Sequence, residues 1–165
     1  ANAVTATNAT NTPITRIVRP AWIQAPGEIW ITVATVEAAA KALPAGARAF
    51  LATGRGSQDA FIARRNVWCA LRLIDQPKTT YPGNGEYIVS HPPFDEHSEI
   101  ALFKLLGITH LVVKNAGGAA ARTKLTAAGK SNIPIIIISR PKETNAAPAI
   151  AREDLRMWLQ AINII

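Results

Sequence analysis

Short apolar runs rich in β-branched residues alternate along this chain with alanine-rich segments, and that alternation constrains the fold more than any other feature. The runs "EIWITV" (28–33), "ARAFLATG" (47–54), "VWCALRLI" (67–74), "THLVVK" (109–114) and "IPIIIIS" (133–139) read as strands, and "EYIVS" (86–90) as a shorter one. Between them stand the helical segments "VEAAAKAL" (36–43), "SQDAFIARR" (57–65), "DEHSEIALFKLLG" (95–107) and "ARTKLTAAGK" (121–130), and "REDLRMWLQAI" (152–162) closes the chain. Strands that are apolar at nearly every position need cover on both faces, and intervening helices supply it. The expectation is an α/β fold: a parallel open sheet of the five long runs, with helices on both faces. In the 95–107 helix, Ile100, Phe103 and Leu106 share one apolar face. Glu96 and Glu99 are expected there as ordinary charges of a helical first turn.

Composition narrows the function. The chain has 165 residues, 48% hydrophobic and 18% charged, which is globular rather than disordered. The longest apolar run, 133–138, is of strand length, so no membrane span is expected. The opening "ANAVTATNATNT" lacks the basic and apolar regions of a signal peptide. The single cysteine, Cys69, cannot form an internal disulfide and is expected as an inert core residue, which points to a reducing, cytoplasmic location. His91, His97 and His110 are not spaced as metal ligands, so no metal is expected, and no Ser-His-Asp order offers a hydrolytic nucleophile. Trp22, Trp30, Trp68 and Trp158 read as packing residues. The formal charge of +7 and pI of 10.1 call for an anionic partner: nucleic acid, a phosphorylated cofactor or a polycarboxylate. The cations are scattered, without a run of five, which argues against nucleic acid.

Ligands of open parallel sheets bind beyond the carboxyl ends of strands, and two such ends stand out. After "FLA" come Thr53, Gly54, Arg55, Gly56 and Ser57. The glycines allow close backbone approach, Ser57 can cap the next helix, and Arg55 would sit at a helix start that already favours anions. After "HLVV" come Lys114, Asn115, Gly117 and Gly118, with Thr123 and Lys124 one turn into the following helix. A structural turn needs only one glycine and no lysine, so this junction is expected to hold an anion. The segments 75–86 and 140–148 read as long loops.

Taken together, "FLATGR", "VKNAGGAAARTKL" and "IPIIIISRP", with their order and spacing, resemble the precorrin-6A reductase family of the vitamin B12 pathway. "ANAVTATNAT…PITRIVRPAW" is similar to the family's mid-chain helix and following strand, and "SHPPF" to its Gly-Pro-Phe loop. The resemblance implies a Rossmann-like second domain of a two-domain reductase, with 1–26 a remnant of the N-terminal domain and linker and 27–165 the C-terminal α/β domain. It implies an NADPH-dependent reduction of one double bond in precorrin-6A, giving precorrin-6B, by a monomer. The partner would be an anionic tetrapyrrole. Thr53, Gly54, Arg55, Lys114, Asn115, Gly117, Gly118, Thr123, Lys124 and Arg140 would bind cofactor or substrate. Gly56 stands where the family often has Gln, and His91-Pro92-Pro93-Phe94 where it has Arg-Gly-Pro-Phe. The family's first strand–glycine turn–helix unit is not in this sequence, so the expectation is a chain that folds but does not turn over by itself. The competing expectation from another class is a small basic α/β module that binds nucleotide or nucleic acid without catalysis.

Overall fold

A computed structural model describes residues 2–119, 121–141, 147–162 and 164. Its contacts divide the chain into two compact units, Ala1–Ala21 with Pro141–Ile165, and Trp22–Arg140. In the smaller unit, helix α1 (Asn2–Thr10) precedes strand β1 (Arg16–Ile17), which pairs in parallel with β8 (Ala149–Ile150) ahead of helix α6 (Leu155–Ala161). The Arg16 guanidinium donates to Ala147 O at 3.0 Å and the Thr15 hydroxyl to Pro148 O at 2.9 Å, fixing the register. Part of the expected 140–148 loop, 142–146, lies outside the described residues.

The larger unit carries one six-stranded, all-parallel sheet. Its strands are β2 (Trp30–Val33), β3 (Arg48–Ala52), β4 (Trp68–Leu73), β5 (Gly85–Val89), β6 (His110–Lys114) and β7 (Ile135–Ile138). They stand in the order β2-β7-β6-β3-β4-β5. The expectation of five is thereby corrected: "EYIVS" joins as an edge strand, pairing with β4 from Cys69↔Gly85 to Leu73↔Val89. The β4–β5 crossover has no helix, so β5 lacks the preceding helical segment that its neighbours have.

Helices α2 (Val36–Ala42), α3 (Gln58–Ile62), α4 (Glu96–Leu105) and α5 (Thr123–Lys130) cover the sheet on both faces. Alternation along β3 sorts the core. Ala49 and Leu51 pack with Ala39, Leu43 and Phe61 on one face; Phe50 packs with Phe103, Leu111 and Leu125 on the other. Phe50 and Phe103 meet edge to face, their centroids 5.2 Å apart. Central β7, four isoleucines, is buried throughout, as a parallel strand covered on two sides must be. Thr35 and Asp95 cap α2 and α4, accepting from Ala38 N at 3.1 Å and Ser98 N at 2.9 Å.

Candidate active site

Strand order reverses between β3 and β6. From β3 the chain moves through β4 to β5 on one side, and from β6 to β7 on the other. Such a switch point leaves a crevice outside the strands' carboxyl ends. The loops singled out in the sequence are the two that leave β3 and β6, and the register Ala52↔Val113 sets them side by side.

The β3 loop turns at Gly54, whose φ of 79° and ψ of 162° fall in a region essentially restricted to glycine. A Cβ placed there would meet nothing within 4 Å, so the space over this turn is open. Arg55–Ser57 then form a 3₁₀ turn before α3. Ser57 holds the expected N-cap position of α3 but makes no side-chain capping bond. Its hydroxyl bends back to donate to Thr53 Oγ1 at 2.7 Å and Gly54 O at 2.8 Å, which uses the buried Thr53 hydroxyl as well. Arg55 is exposed, its guanidinium 6.0 Å from the Tyr87 ring, and the Tyr87 hydroxyl donates to Gln58 Oε1 at 2.9 Å.

The β6 loop is built differently. Gly117 and Gly118 both have positive φ, 73° and 83°, which lets the chain double back after Asn115. Trp22 N donates to Asn115 Oδ1 at 2.8 Å, Asn115 Nδ2 donates to Trp22 O at 3.1 Å, and Trp22 Nε1 donates to Gly118 O at 2.7 Å. Arg140 clamps the same loop, donating to Asn115 O at 2.9 Å and Ala116 O at 3.0 Å. Lys114 remains exposed at the strand end. Thr123 and Lys124 open α5 rather than lying one turn inside it, because residues 121–122 form a turn ahead of the helix.

A cleft of about 760 Å³ opens at this edge, lined by Gly54 and Arg55 from the β3 loop, Arg72 and Asp75 from the end of β4, Lys78, Phe94 and Lys124. Ligand pockets of small molecules span roughly 300–1,000 Å³. Of the residues expected to bind, Gly54, Arg55 and Lys124 line it; Lys114, Asn115, Gly117 and Gly118 form the β6 loop, which Arg140 holds from the end of β7.

The cleft's most buried polar group was not anticipated. Arg72 points to the α4 face of the sheet, where its guanidinium lies 4.7 Å from the Phe50 ring and 4.3 Å from the Phe94 ring. Its two terminal nitrogens fork onto Glu99, at 2.6 and 3.1 Å. Both side chains are buried, so Glu99 is corrected from a solvated first-turn charge to one half of an internal ion pair. Only Glu96 fits that description, pairing with Lys130 at 2.5 Å. The signal was in the sequence: Glu99 stands four residues before Phe103, hence on the buried face of α4, and Arg72 interrupts an apolar strand two residues after Ala70.

Lys124 stands beside this pair. Burial holds its ammonium below the usual lysine range, with the Glu99 carboxylate opposing that shift and Arg72 adding to it. The ammonium lies 5.5 Å from the Trp22 ring and donates to Ala121 O. Trp22 is itself anchored through the Asn115 bonds and through Arg122, which donates to Ile23 O and forms an ion pair with Glu28 at 2.9 Å. Away from the cleft, burial pushes the Cys69 thiol up to about 11, consistent with an inert core residue. Among the described residues no group of His, Cys, Asp and Glu side chains is placed to hold a metal ion. No helix among them is long and apolar enough to cross a membrane.

Three comparisons bear on this edge of the sheet. The family described as Precorrin-6x reductase CbiJ/CobK matches residues 1–160. The precorrin-6A reductase of Rhodococcus erythropolis is 37% identical over 141 residues, covering 85% of this chain and 57% of that protein. That of Rhodobacter capsulatus is 35% identical over 161 residues, covering 96% and 64%. A solved structure of CobK precorrin-6A reductase superposes with a TM-score of 0.91 at 36% identity, over 98% of this chain and 67% of that one. The chain thus spans 57% and 64% of the length of those two relatives. With the family match running nearly end to end and the same open parallel fold, this chain belongs to the CbiJ/CobK precorrin-6x reductase family.

Proposed function

We propose that this chain supplies one wall of the active site of an NADPH-dependent precorrin-6A reductase, which reduces one double bond of the macrocycle to give precorrin-6B. The observation that carries the proposal is the juxtaposition at the switch point: two glycine loops on neighbouring strands beside a cleft lined by arginine and lysine. A phosphorylated cofactor and a polycarboxylate ring are both anions, and clustered cations attract and hold them through charge-assisted hydrogen bonds.

The residues present fit such a cofactor. Gly54 leaves open space above its backbone, and among the described residues Arg55, Lys78 and Lys114 are exposed and engaged in no ion pair. Arg55 and Lys114 would take phosphate groups and Lys78 a carboxylate of the ring, while Thr53, Asn115, Gly117, Gly118 and Arg140 keep the two loops in shape. Thr123 and Lys124 would complete the cleft from α5. When bound, the nicotinamide supplies a hydride. The chain's own part is to orient the ring, and the apolar surface of Leu73, Ile74 and Phe94 excludes water from the reacting carbons. We place the reaction in the cytoplasm, a reducing compartment that suits the free, buried Cys69, and assign it to a monomer. The division into a remnant, 1–26, and an α/β domain, 27–165, is part of this proposal. It concerns what those residues belong to in a longer chain rather than their compactness here.

The test is an anaerobic assay that follows NADPH absorbance with authentic precorrin-6A. It is run on this chain and on one extended to the length of the relatives. Reduction by the extended chain alone is expected; no macrocycle-dependent oxidation by either would reject the reductase function.

A further inference from the structure

Reducing a carbon–carbon or carbon–nitrogen double bond adds a hydride to one atom and a proton to its neighbour. If the reductant is a nicotinamide, the proton has to come from elsewhere. Among the described residues lining the cleft, Arg55 and Arg72 are guanidinium groups, which do not release protons in proteins. Asp75, Lys78 and Thr79 lie on the exposed rim. Lys124 alone combines an exchangeable proton with a sheltered position at the back of the cleft.

Its surroundings hold it there as a proton-bearing group rather than as half of an ion pair. The nearest carboxylate, Glu99, is already forked onto Arg72. Among the described residues no carboxylate forms an ion pair with Lys124. The Trp22 ring and Ala121 O confine the ammonium. The charged groups facing it are Glu99 from α4 and Arg72 from β4, with Arg55, Asp75 and Lys78 across the cleft.

We propose that Lys124 is the catalytic acid of the reduction, giving a proton from its ammonium to the ring atom next to the one that receives the hydride. The step balances. A C–H or N–H bond forms on the ring, the N–H bond of the ammonium breaks, and the neutral amine regains a proton from solvent at the open mouth of the cleft. The ring gains two electrons, both from the nicotinamide hydride. Burial of the ammonium favours the transfer, because it brings the group's acidity closer to neutral pH.

This assignment rests on the reductase function proposed above, and its test separates the two. Lys124→Arg and Lys124→Gln are made in the complete protein, and their folding is checked by thermal melting. Precorrin-6A affinity is measured by titration, and single-turnover NADPH oxidation is followed against pH. Lys124→Arg keeps the positive charge without a releasable proton. It is expected to bind the macrocycle within a few fold of wild type while its rate falls by about a hundredfold or more. As a readout independent of turnover, ¹⁵N-lysine spectra assigned with the same variants should show Lys124 losing its proton at lower pH than the exposed lysines. Near-normal turnover by Lys124→Arg would make Lys124 an anion anchor and overturn the assignment alone. Loss of macrocycle binding by Lys124→Arg as large as the loss of rate would also overturn it. A wild-type protein with no macrocycle-dependent oxidation would overturn the reductase function, and the assignment with it.

Discussion

The two loops at the switch point follow neighbouring strands and both carry glycines and a cation, yet they are built to opposite ends. The β6 loop binds to its own molecule: Asn115, Gly118 and Arg140 place their polar groups on one another and on Trp22. The β3 loop turns its inward hydroxyls, Thr53 and Ser57, onto each other and leaves Gly54 and Arg55 facing the cleft. A polar residue after a strand can therefore be a strut or a receptor, and residue type does not separate them. Only Lys114 on the β6 loop combines exposure with a free charge among the described residues.

Removing the support behind the cleft should have the largest effect. Glu99→Ala strands the buried Arg72 guanidinium, and breaking such a pair costs about 3–5 kcal/mol. A urea melt should show that loss, and adding Arg72→Met should recover part of it. A Glu99→Ala protein within 1 kcal/mol of wild type, roughly the value of an exposed pair, would mean that the pair is not internal.

The strut is tested next. Asn115→Ala leaves the Trp22 amide unpaired and should cost about 1–3 kcal/mol in the same melt. Lys114→Ala should behave as its mirror image. Stability should change by no more than about 0.5 kcal/mol, as for most surface substitutions. Affinity for NADPH or precorrin-6A in a titration should fall by roughly ten- to a hundredfold, the value of a charged hydrogen bond. If Lys114→Ala melts early and Asn115→Ala does not, the assignment of strut and receptor is reversed.

The smallest effect is expected at the α4 cap. Hydrogen bonds from the Ser98 hydroxyl and amide hold the Asp95 carboxyl below its ordinary range. A carboxyl lowered in the folded state adds stability above its unfolded value, about pH 4, and that contribution disappears as pH falls through the folded value. Asp95→Asn should remove this slope from an acid-denaturation profile below about pH 4 and lower the neutral-pH melt slightly, by the contribution that the charged carboxylate makes there. A profile identical to wild type would show that the cap contributes nothing.

Much of the architecture was legible because it is local. Periodicity marked all six sheet strands and the helices on both faces, and glycines marked the turns that need positive φ at Gly54, Gly117 and Gly118. The helix caps at Thr35 and Asp95 likewise follow from residue type beside an apolar run. Element ends moved by a residue or two, where capping and 3₁₀ turns compete, as at Arg55–Ser57. The cationic character of the site was legible too, since two cation-bearing loops end apolar strands.

The partners of those residues were not local. Whether the β3 and β6 loops are neighbours depends on strand order, and Ala49↔His110 is a pairing between residues far apart in sequence. Alternation says which face of a strand is buried, but the same alternation is compatible with any neighbour. Arg72 and Glu99 illustrate the limit. Each looks misplaced in its own segment, and only the packing of α4 on β4 shows that each neutralises the other. The amide of Asn115 was equally undecided until Trp22, remote in sequence, came within hydrogen-bonding distance. By itself the sequence determined an α/β sheet, its turns and its family, because burial patterns and turn chemistry act over a few residues. Tertiary structure alone decided which charges face the cleft and which hold it together, because a buried polar group takes whatever partner the fold brings within about 3 Å.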